Sequence, residues 1–243
     1  MDTDFTKKLF ANYSPKEVIG KSIKDKRGGK NNIHSWNIDL KGKTSQQERN
    51  LMDTLLLERR KKHWAEVIGI KWMDGMPLTE EQIRTFYNVP ELHQMLKHLT
   101  RMGYLVYEYP KQQVKDKNGI VKRIPDKTKE KGYNIVAGKL SFEFSKILNP
   151  NDIAPTLVAM DVAKLGVVDG NGLRRLTIRE CQRLCGYPDN YSLNMISESE
   201  AFDLLGNTVC VPVIKEISKR IGRSYLKNTE GEPKNEANST RNI

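Results

Sequence analysis

A cysteine thiolate can serve as a nucleophile or as a zinc ligand, so the three cysteines are the first residues to test for chemistry. Cys181 and Cys185 lie one helical turn apart and share a face, and Cys210 follows well downstream. A zinc site needs a fourth ligand at a recognisable spacing, and His34, His63, His93 and His98 are scattered far upstream. The three therefore read as core thiols, with no metal site. A second set of groups is cationic. Lys24, Lys26, Arg27 and Lys30 crowd the Gly-rich stretch from Lys24 to Asn32. Lys97 and Arg101 recur at one helical turn, and Lys122 and Arg123 fall in Lys111 to Lys131, which carries 8 basic and 3 acidic side chains. Such clusters grip phosphates, and a few of their side chains can also read base edges. Thr156 follows Pro155 on a loop, where its hydroxyl either donates to a phosphate oxygen or closes a turn.

The elements that hold these groups are marked by helix caps. Ser45 with Glu48 forms a capping box for a helix through Leu51, Met52, Leu55 and Leu56 to about Ala65, its basic end at Arg59 to Lys62 complementing the helix dipole. Thr79 with Gln82 opens a short helix to about Tyr87, and Pro90 starts the next, with Leu92, Met95, Leu96 and Leu99 on one face and Gly103 as its stop. Tyr104 to Tyr109 and Tyr133 to Val136 then alternate as strands around the Lys-rich excursion. Two helices and a long hairpin in this order resemble a winged helix.

A strand is expected over Leu140 to Phe144, and Gly170-Asn171-Gly172 suits a hairpin turn better than a phosphate cradle. Thr177 with Glu180, and Ser197 with Glu200, cap two further helices that stop at Gly186 and Gly206; a last helix bears Ile214, Ile217 and Ile221 and stops at Gly222. The tail from Lys227 has few apolar residues and is expected to be disordered.

Composition limits the partners. With 41 Lys and Arg against 30 Asp and Glu, a formal charge of +11 favours a polyanion such as nucleic acid. No window approaches a membrane span, Met1 to Asp4 lacks the start of a signal peptide, and an odd number of cysteines suits a reducing, cytoplasmic setting.

The segment Arg175-Leu176-Thr177-Ile178-Arg179-Glu180-Cys181-Gln182-Arg183-Leu184-Cys185-Gly186-Tyr187-Pro188 closely resembles the ninth motif of the DNA (cytosine-5) methyltransferases. Ala154 to Ala159 resembles the short segment that precedes it, and Leu205-Gly206-Asn207-Thr208-Val209 resembles the tenth motif, with Thr208 where the family usually has Ser. The resemblance implies that Thr156 touches the DNA backbone near the flipped cytosine. It implies that Asn207 and Thr208 help line the S-adenosylmethionine pocket. Arg175, Thr177, Arg179, Glu180 and Gly206 read as structural residues of the two motifs, with Arg179 and Glu180 supplying an ion pair and a cap rather than a DNA contact.

The family's nucleophile is a cysteine in a Pro-Cys dipeptide, and no Pro-Cys occurs here; nor does a Phe-x-Gly-x-Gly loop, a Glu-Asn-Val segment or a Gln-x-Arg-x-Arg segment. No catalytic residue is therefore assigned. The expected architecture is α+β: an arm over residues 1–15, a target-recognition domain over 16–153 with the winged-helix-like element, a helical segment over 154–226 that completes a partner's Rossmann-like catalytic domain, and the tail 227–243. The opening Met1 and the arm Asp2 to Ala11 favour a separately translated specificity subunit over a fragment. The expected partners are double-stranded DNA and a catalytic subunit that binds most of the S-adenosylmethionine. The alternative is a non-enzymatic winged-helix regulator, which leaves the last two motifs unexplained.

Overall fold

A computed structural model describes residues 2–115, 117–136, 142–159 and 161–229. Along the chain run α1 (Asp4–Asn12), α2 (Pro15–Val18), β1 (Ser22–Ile23), β2 (Asn32–Ile33), a 3-10 turn at Ser35–Ile38, α3 (Gln46–Glu58), α4 (Lys62–Ile68), α5 (Glu80–Arg84) and α6 (Leu92–Arg101). Then come β3 (Leu105–Glu108), β4 (Lys111–Lys115), β5 (Val121–Pro125), β6 (Gly132–Ile135), β7 (Lys146–Ile147), β8 (Leu165–Asp169), β9 (Gly172–Arg175), α7 (Ile178–Leu184), α8 (Glu198–Gly206) and α9 (Val211–Thr229). The fold is mixed α and β, divided into two compact units: Met1–Ile153 with Lys164–Arg175, and Ala154–Ala163 with Leu176–Ile243. The β8–β9 hairpin thus belongs to the first unit, although it lies in sequence between the two segments of the second.

Two apolar cores hold the first unit. One joins Phe5, Leu9, Val18, Ile23, Ile33, Ile38, Phe144, Ile147 and Leu173 around a sheet of order β2-β1-β7-β8-β9. The N-terminal arm is therefore more than an arm: Thr3 caps α1 through a capping box, and Phe5 and Leu9 enter this core. The other core gathers Leu51, Met52, Leu55 and Leu56 of α3, Leu92, Met95, Leu96 and Leu99 of α6, and Trp36, Trp64, Met76, Leu78, Tyr104 and Leu105. Burial of these side chains, at roughly 1.5–3 kcal/mol each, is the main force that fixes α6 against the β3–β6 pair.

Strands β3 and β6 pair antiparallel from Leu105 opposite Ile135 to Glu108 opposite Gly132, and β4 pairs with β5 from Lys111 opposite Pro125 to Lys115 opposite Val121. An isolated antiparallel bridge joins Leu78 to Tyr133. The β4–β5 ribbon is exposed on almost every residue, as suits a hairpin that extends the β3–β6 pair into solvent.

Several boundaries differ from the sequence reading. The helix expected from Ser45 to Ala65 breaks at Arg59–Lys61 into α3 and α4, because the Arg59 carbonyl accepts from Met76 N at 2.9 Å and its side chain is pulled into the interior. Pro90 sits in a turn, and α6 begins at Leu92 after Glu91. Gly222 lies within α9, which runs on to Thr229; a glycine in a helix costs only about 1 kcal/mol against alanine. Of the strand expected over Leu140 to Phe144, residues 142–144 form none and the pairing segment is β7, while 140 and 141 fall outside the described residues. The expected tail lies outside the described residues beyond Thr229.

Candidate nucleic-acid interface

The loop between β1 and β2 is built on a buried hinge. Asp25 is 4% exposed and accepts from Ser35 N at 2.8 Å and from the Ser35 hydroxyl at 2.7 Å. Burial nevertheless pushes its carboxyl pKa up, and burial pushes the neighbouring His34 down. His34 stacks on Trp36, with ring centroids 4.6 Å apart, and contacts the Lys24 carbonyl through Nδ1 at 2.5 Å. Asn32 Nδ2 donates to the Arg27 carbonyl at 2.7 Å and closes the loop from its other end. With its acid turned inward, the loop presents Lys24, Lys26, Arg27 and Lys30 to solvent.

Lys97 and Arg101 are exposed on α6, one turn apart, opposite the buried Leu92, Met95, Leu96 and Leu99. His93 and His98 on the same helix face carboxylates, His93 with Glu80 at 2.7 Å and His98 with Glu48 at 2.5 Å. Lys122 and Arg123 are exposed on β5. The loop and the hairpin meet at one place: Lys26 and Arg123 line a common cavity of about 390 Å³ with Arg59, Asp74, Glu108, Lys111 and Asn134. Lys97 and Arg101 do not line it. The opposite face of the β3–β6 pair carries an aromatic patch, Tyr107 and Tyr133 with ring centroids 4.9 Å apart and Lys131 Nζ 4.8 Å from the Tyr109 ring centre.

Arg59 is the residue that the sequence reading missed. It was counted in a basic helix end, yet it is 2% exposed, and desolvation holds its guanidinium down to about 10. Nη1 donates to Asn134 Oδ1 at 2.6 Å, and Nε has no acceptor among the described residues. No local pattern distinguishes it from Arg60 beside it, which stays half-buried and pairs with Asp74 at 2.5 Å.

In the second unit Thr177 accepts from Glu180 N at 3.2 Å while Glu180 Oε2 accepts from Thr177 N at 2.8 Å. Arg179 binds the loop after α7: it pairs with Asp189 at 3.0 Å and donates to the Tyr191 carbonyl at 3.3 Å and to the Asp189 carbonyl. Arg183 reaches Asp189 at 3.2 Å. Both arginines thus hold the loop after α7, Arg179 through backbone carbonyls and the Asp189 carboxylate and Arg183 through that carboxylate, and α7 is a braced corner. Cys181 and Cys185 are buried in it, burial raising Cys181 to about 12 and also raising Cys185. Cys210, read as a core thiol, is exposed, because it sits in the turn before α9. Arg175, at the end of β9, is exposed in the other unit.

Gly206 ends α8 against the loop Ala154–Ala159, where a Cβ would collide with the backbone of Val158 and Ala159. Asn207 caps that helix, its Nδ2 donating to the Asp203 carbonyl at 3.0 Å. Thr208 is half-buried with Oγ1 at 2.6 Å from Tyr187 Oη. Thr156 is exposed on the loop that Gly206 supports. The model for C-5 cytosine-specific DNA methylases matches residues 21–223. The chain belongs to that family.

Within this methylase family, the chain is 58% identical over 217 residues to the Type II methyltransferase M.NlaIV of Neisseria lactamica, covering 89% of this chain and 50% of that protein. It is 57% identical over 217 residues to M.NgoBV of Neisseria gonorrhoeae, and 38% identical over 216 residues to M.HgiCI of Herpetosiphon aurantiacus. These cover 89% and 88% of this chain and 50% and 45% of the relatives. The chain thus spans about half the length of the curated relatives it matches. Members of this methylase family use S-adenosylmethionine. Asn207, exposed, and Thr208, engaged by Tyr187, are suited to the edge of such a site, and two polar side chains on an open surface do not enclose it. Among the described residues no group of three or more His, Cys, Asp or Glu could hold a metal, and no helix is long and apolar enough to cross a membrane.

Proposed function

We propose that this chain is the DNA-recognition part of a Type II DNA cytosine-5 methyltransferase of a restriction-modification system, and that it acts with a second polypeptide carrying the nucleophile and most of the cofactor site. The observation that carries this reading is the combination of a family match over residues 21–223 with the lack of any Pro-Cys among the 243 residues. Such a methylase attacks carbon 6 of a flipped cytosine with a cysteine thiolate, so the thiolate must come from elsewhere.

Residues 16–153 form the recognition domain in this reading. Its helices α3, α5 and α6, the bridge at Leu78, and the strands β3 and β6 with their exposed ribbon act as a winged helix on duplex DNA. Support comes from the cations it turns to solvent: Lys24, Lys26, Arg27 and Lys30 on the loop, Lys97 and Arg101 on α6, and Lys122 and Arg123 on the ribbon. Most of these grip phosphates, and a few reach base edges. Thr156 contacts the DNA backbone, and Asn207 and Thr208 border the methyl donor, S-adenosylmethionine, which supplies the methyl group when bound. The segment 154–226 serves as the docking segment for the catalytic polypeptide.

Support for docking comes from α9. Val213, Ile214, Ile217 and Ile221 are exposed on it, a run of apolar side chains of the kind that marks an interaction surface. The occupant is the catalytic polypeptide, because this chain spans about half of its relatives' length. Co-purification through a tag on this chain tests it. The partner should be retained by the native sequence and lost by Ile217→Glu/Ile221→Glu; retention by that variant, with this chain folded, would count against α9 as the docking surface.

A further inference from the structure

We propose that the cavity floored by Arg59 is a single-phosphate clamp, in which Arg59, Lys26 and Arg123 together hold one phosphodiester of the bound DNA. The proposal deepens the DNA-recognition reading and rests on it. Its basis is a convergence that the sequence separates widely: Lys26 comes from the loop after β1, Arg59 from the end of α3 and Arg123 from β5, and all three line one cavity of about 390 Å³.

The charges in this cavity do not cancel. Asp74 pairs with Arg60 at 2.5 Å and with Arg27 at 3.9 Å. Glu108 pairs with Lys111 at 3.0 Å and accepts from Asn134 Nδ2 at 2.9 Å. Both acids have closer cations outside the three in question; they also act on Arg59 at longer range, and neither lies within ion-pair distance of it among the described residues. Lys26 and Arg123 have no ion pair among the described residues, and both are exposed at the rim.

Arg59 is the unusual member. A guanidinium that is 2% exposed normally has a carboxylate or a full set of acceptors. Among the described residues this one has a single hydrogen-bond acceptor, the neutral Asn134 Oδ1 at 2.6 Å, and a buried Nε with none. Its position is enforced: Gly75, at φ +99°, lies over it so closely that a Cβ there would come within 2.9 Å of Cζ. Burial that disfavours its charge is tolerated where a ligand anion supplies the countercharge. A phosphate group suits the site because the guanidinium can donate to one of its non-bridging oxygens while the two flexible rim cations reach another. The source is a DNA phosphodiester rather than free phosphate, because the cavity opens between the two segments that carry the densest exposed positive charge, the loop Lys24–Lys30 and the ribbon β4–β5.

The test is the salt dependence of duplex-DNA affinity, by fluorescence anisotropy on the full chain, bound to its catalytic partner where one co-purifies. Each phosphate contact contributes about 0.9 to the slope of log affinity on log salt. Lys26→Ala/Arg123→Ala should reduce the slope by about 1, Arg59→Met by a similar amount, and the triple variant by no more than either, since all three serve one phosphate. Decrements that add across the variants, or an unchanged slope in the folded Lys26→Ala/Arg123→Ala variant, would overturn the clamp while leaving DNA recognition standing. A native chain with no DNA affinity would overturn the recognition reading itself. If Arg59→Met does not fold, the slope test is carried by Lys26→Ala and Arg123→Ala made singly and together, each of which should remove no more than about 1 from the slope. Inorganic phosphate is titrated in parallel at constant ionic strength; a rise in Tm that depends on Lys26 and Arg123, with no change in the DNA slope, would assign the site to free phosphate and contradict the proposal.

Discussion

Tyr187 Oη and Thr208 Oγ1 stand 2.6 Å apart, a hydrogen bond that ties the end of the ninth-motif segment to the tenth. The tie explains why a hydroxyl stands at position 208, and it is satisfied by serine as well as threonine. Thr208→Ser should therefore keep the stability of the second unit, while Thr208→Val and Tyr187→Phe should each lose about 1 kcal/mol. A double-mutant cycle by urea denaturation should return most of that as coupling; purely additive losses would mean that the bond contributes nothing.

Gly206 is required for a different reason, the close approach of the Val158–Ala159 backbone to the end of α8. Gly206→Ala should lower the unfolding midpoint of the second unit markedly and expose the loop around Thr156 to limited proteolysis. Native-like protection of that loop in the variant would show that the packing is looser than described.

Asp25 offers a test of sign. Burial raises its carboxyl pKa above the usual 3.8. The stability that goes with the neutral form is present below the unfolded value and is lost as pH rises through the folded one. Asp25→Asn keeps an acceptor for Ser35 N without the charge, so its stability relative to the native protein should increase between pH 3 and pH 7. Asp25→Ala, which strips Ser35 N of its partner, should cost about 1–3 kcal/mol. Chemical denaturation at the two pH values measures both.

The thiols should separate cleanly. Cys210 is exposed, whereas Cys181 is buried with its thiol held up to about 12. Maleimide at neutral pH should label Cys210 in the native chain, and Cys181 and Cys185 only after denaturation, as read by mass spectrometry.

Helix starts were legible because a capping box is written in four consecutive residues: those at Ser45, Thr79, Thr177 and Ser197 all form. The apolar faces of α3 and α6 were legible from their periodicity. What tertiary contacts decide was not. Nothing local says that Arg59 turns inward and splits a helix, that Phe5 and Leu9 anchor the N-terminal arm in a core, or that α9 continues through Gly222. The cationic segments were visible one by one. That Lys26 and Arg123 share a cavity depends on a loop closed by Asn32 and a ribbon carried by β3 and β6, and no spacing in the sequence encodes that meeting.

In the proposed scheme this chain recognises DNA for a methylation whose nucleophile lies on another polypeptide. Methyl transfer from labelled S-adenosylmethionine to DNA, assayed with this chain alone and with a co-produced polypeptide bearing the Pro-Cys and cofactor-loop segments, tests it most directly. Label should appear on cytosine carbon 5 only when both chains are present. Label incorporated by this chain alone would contradict it.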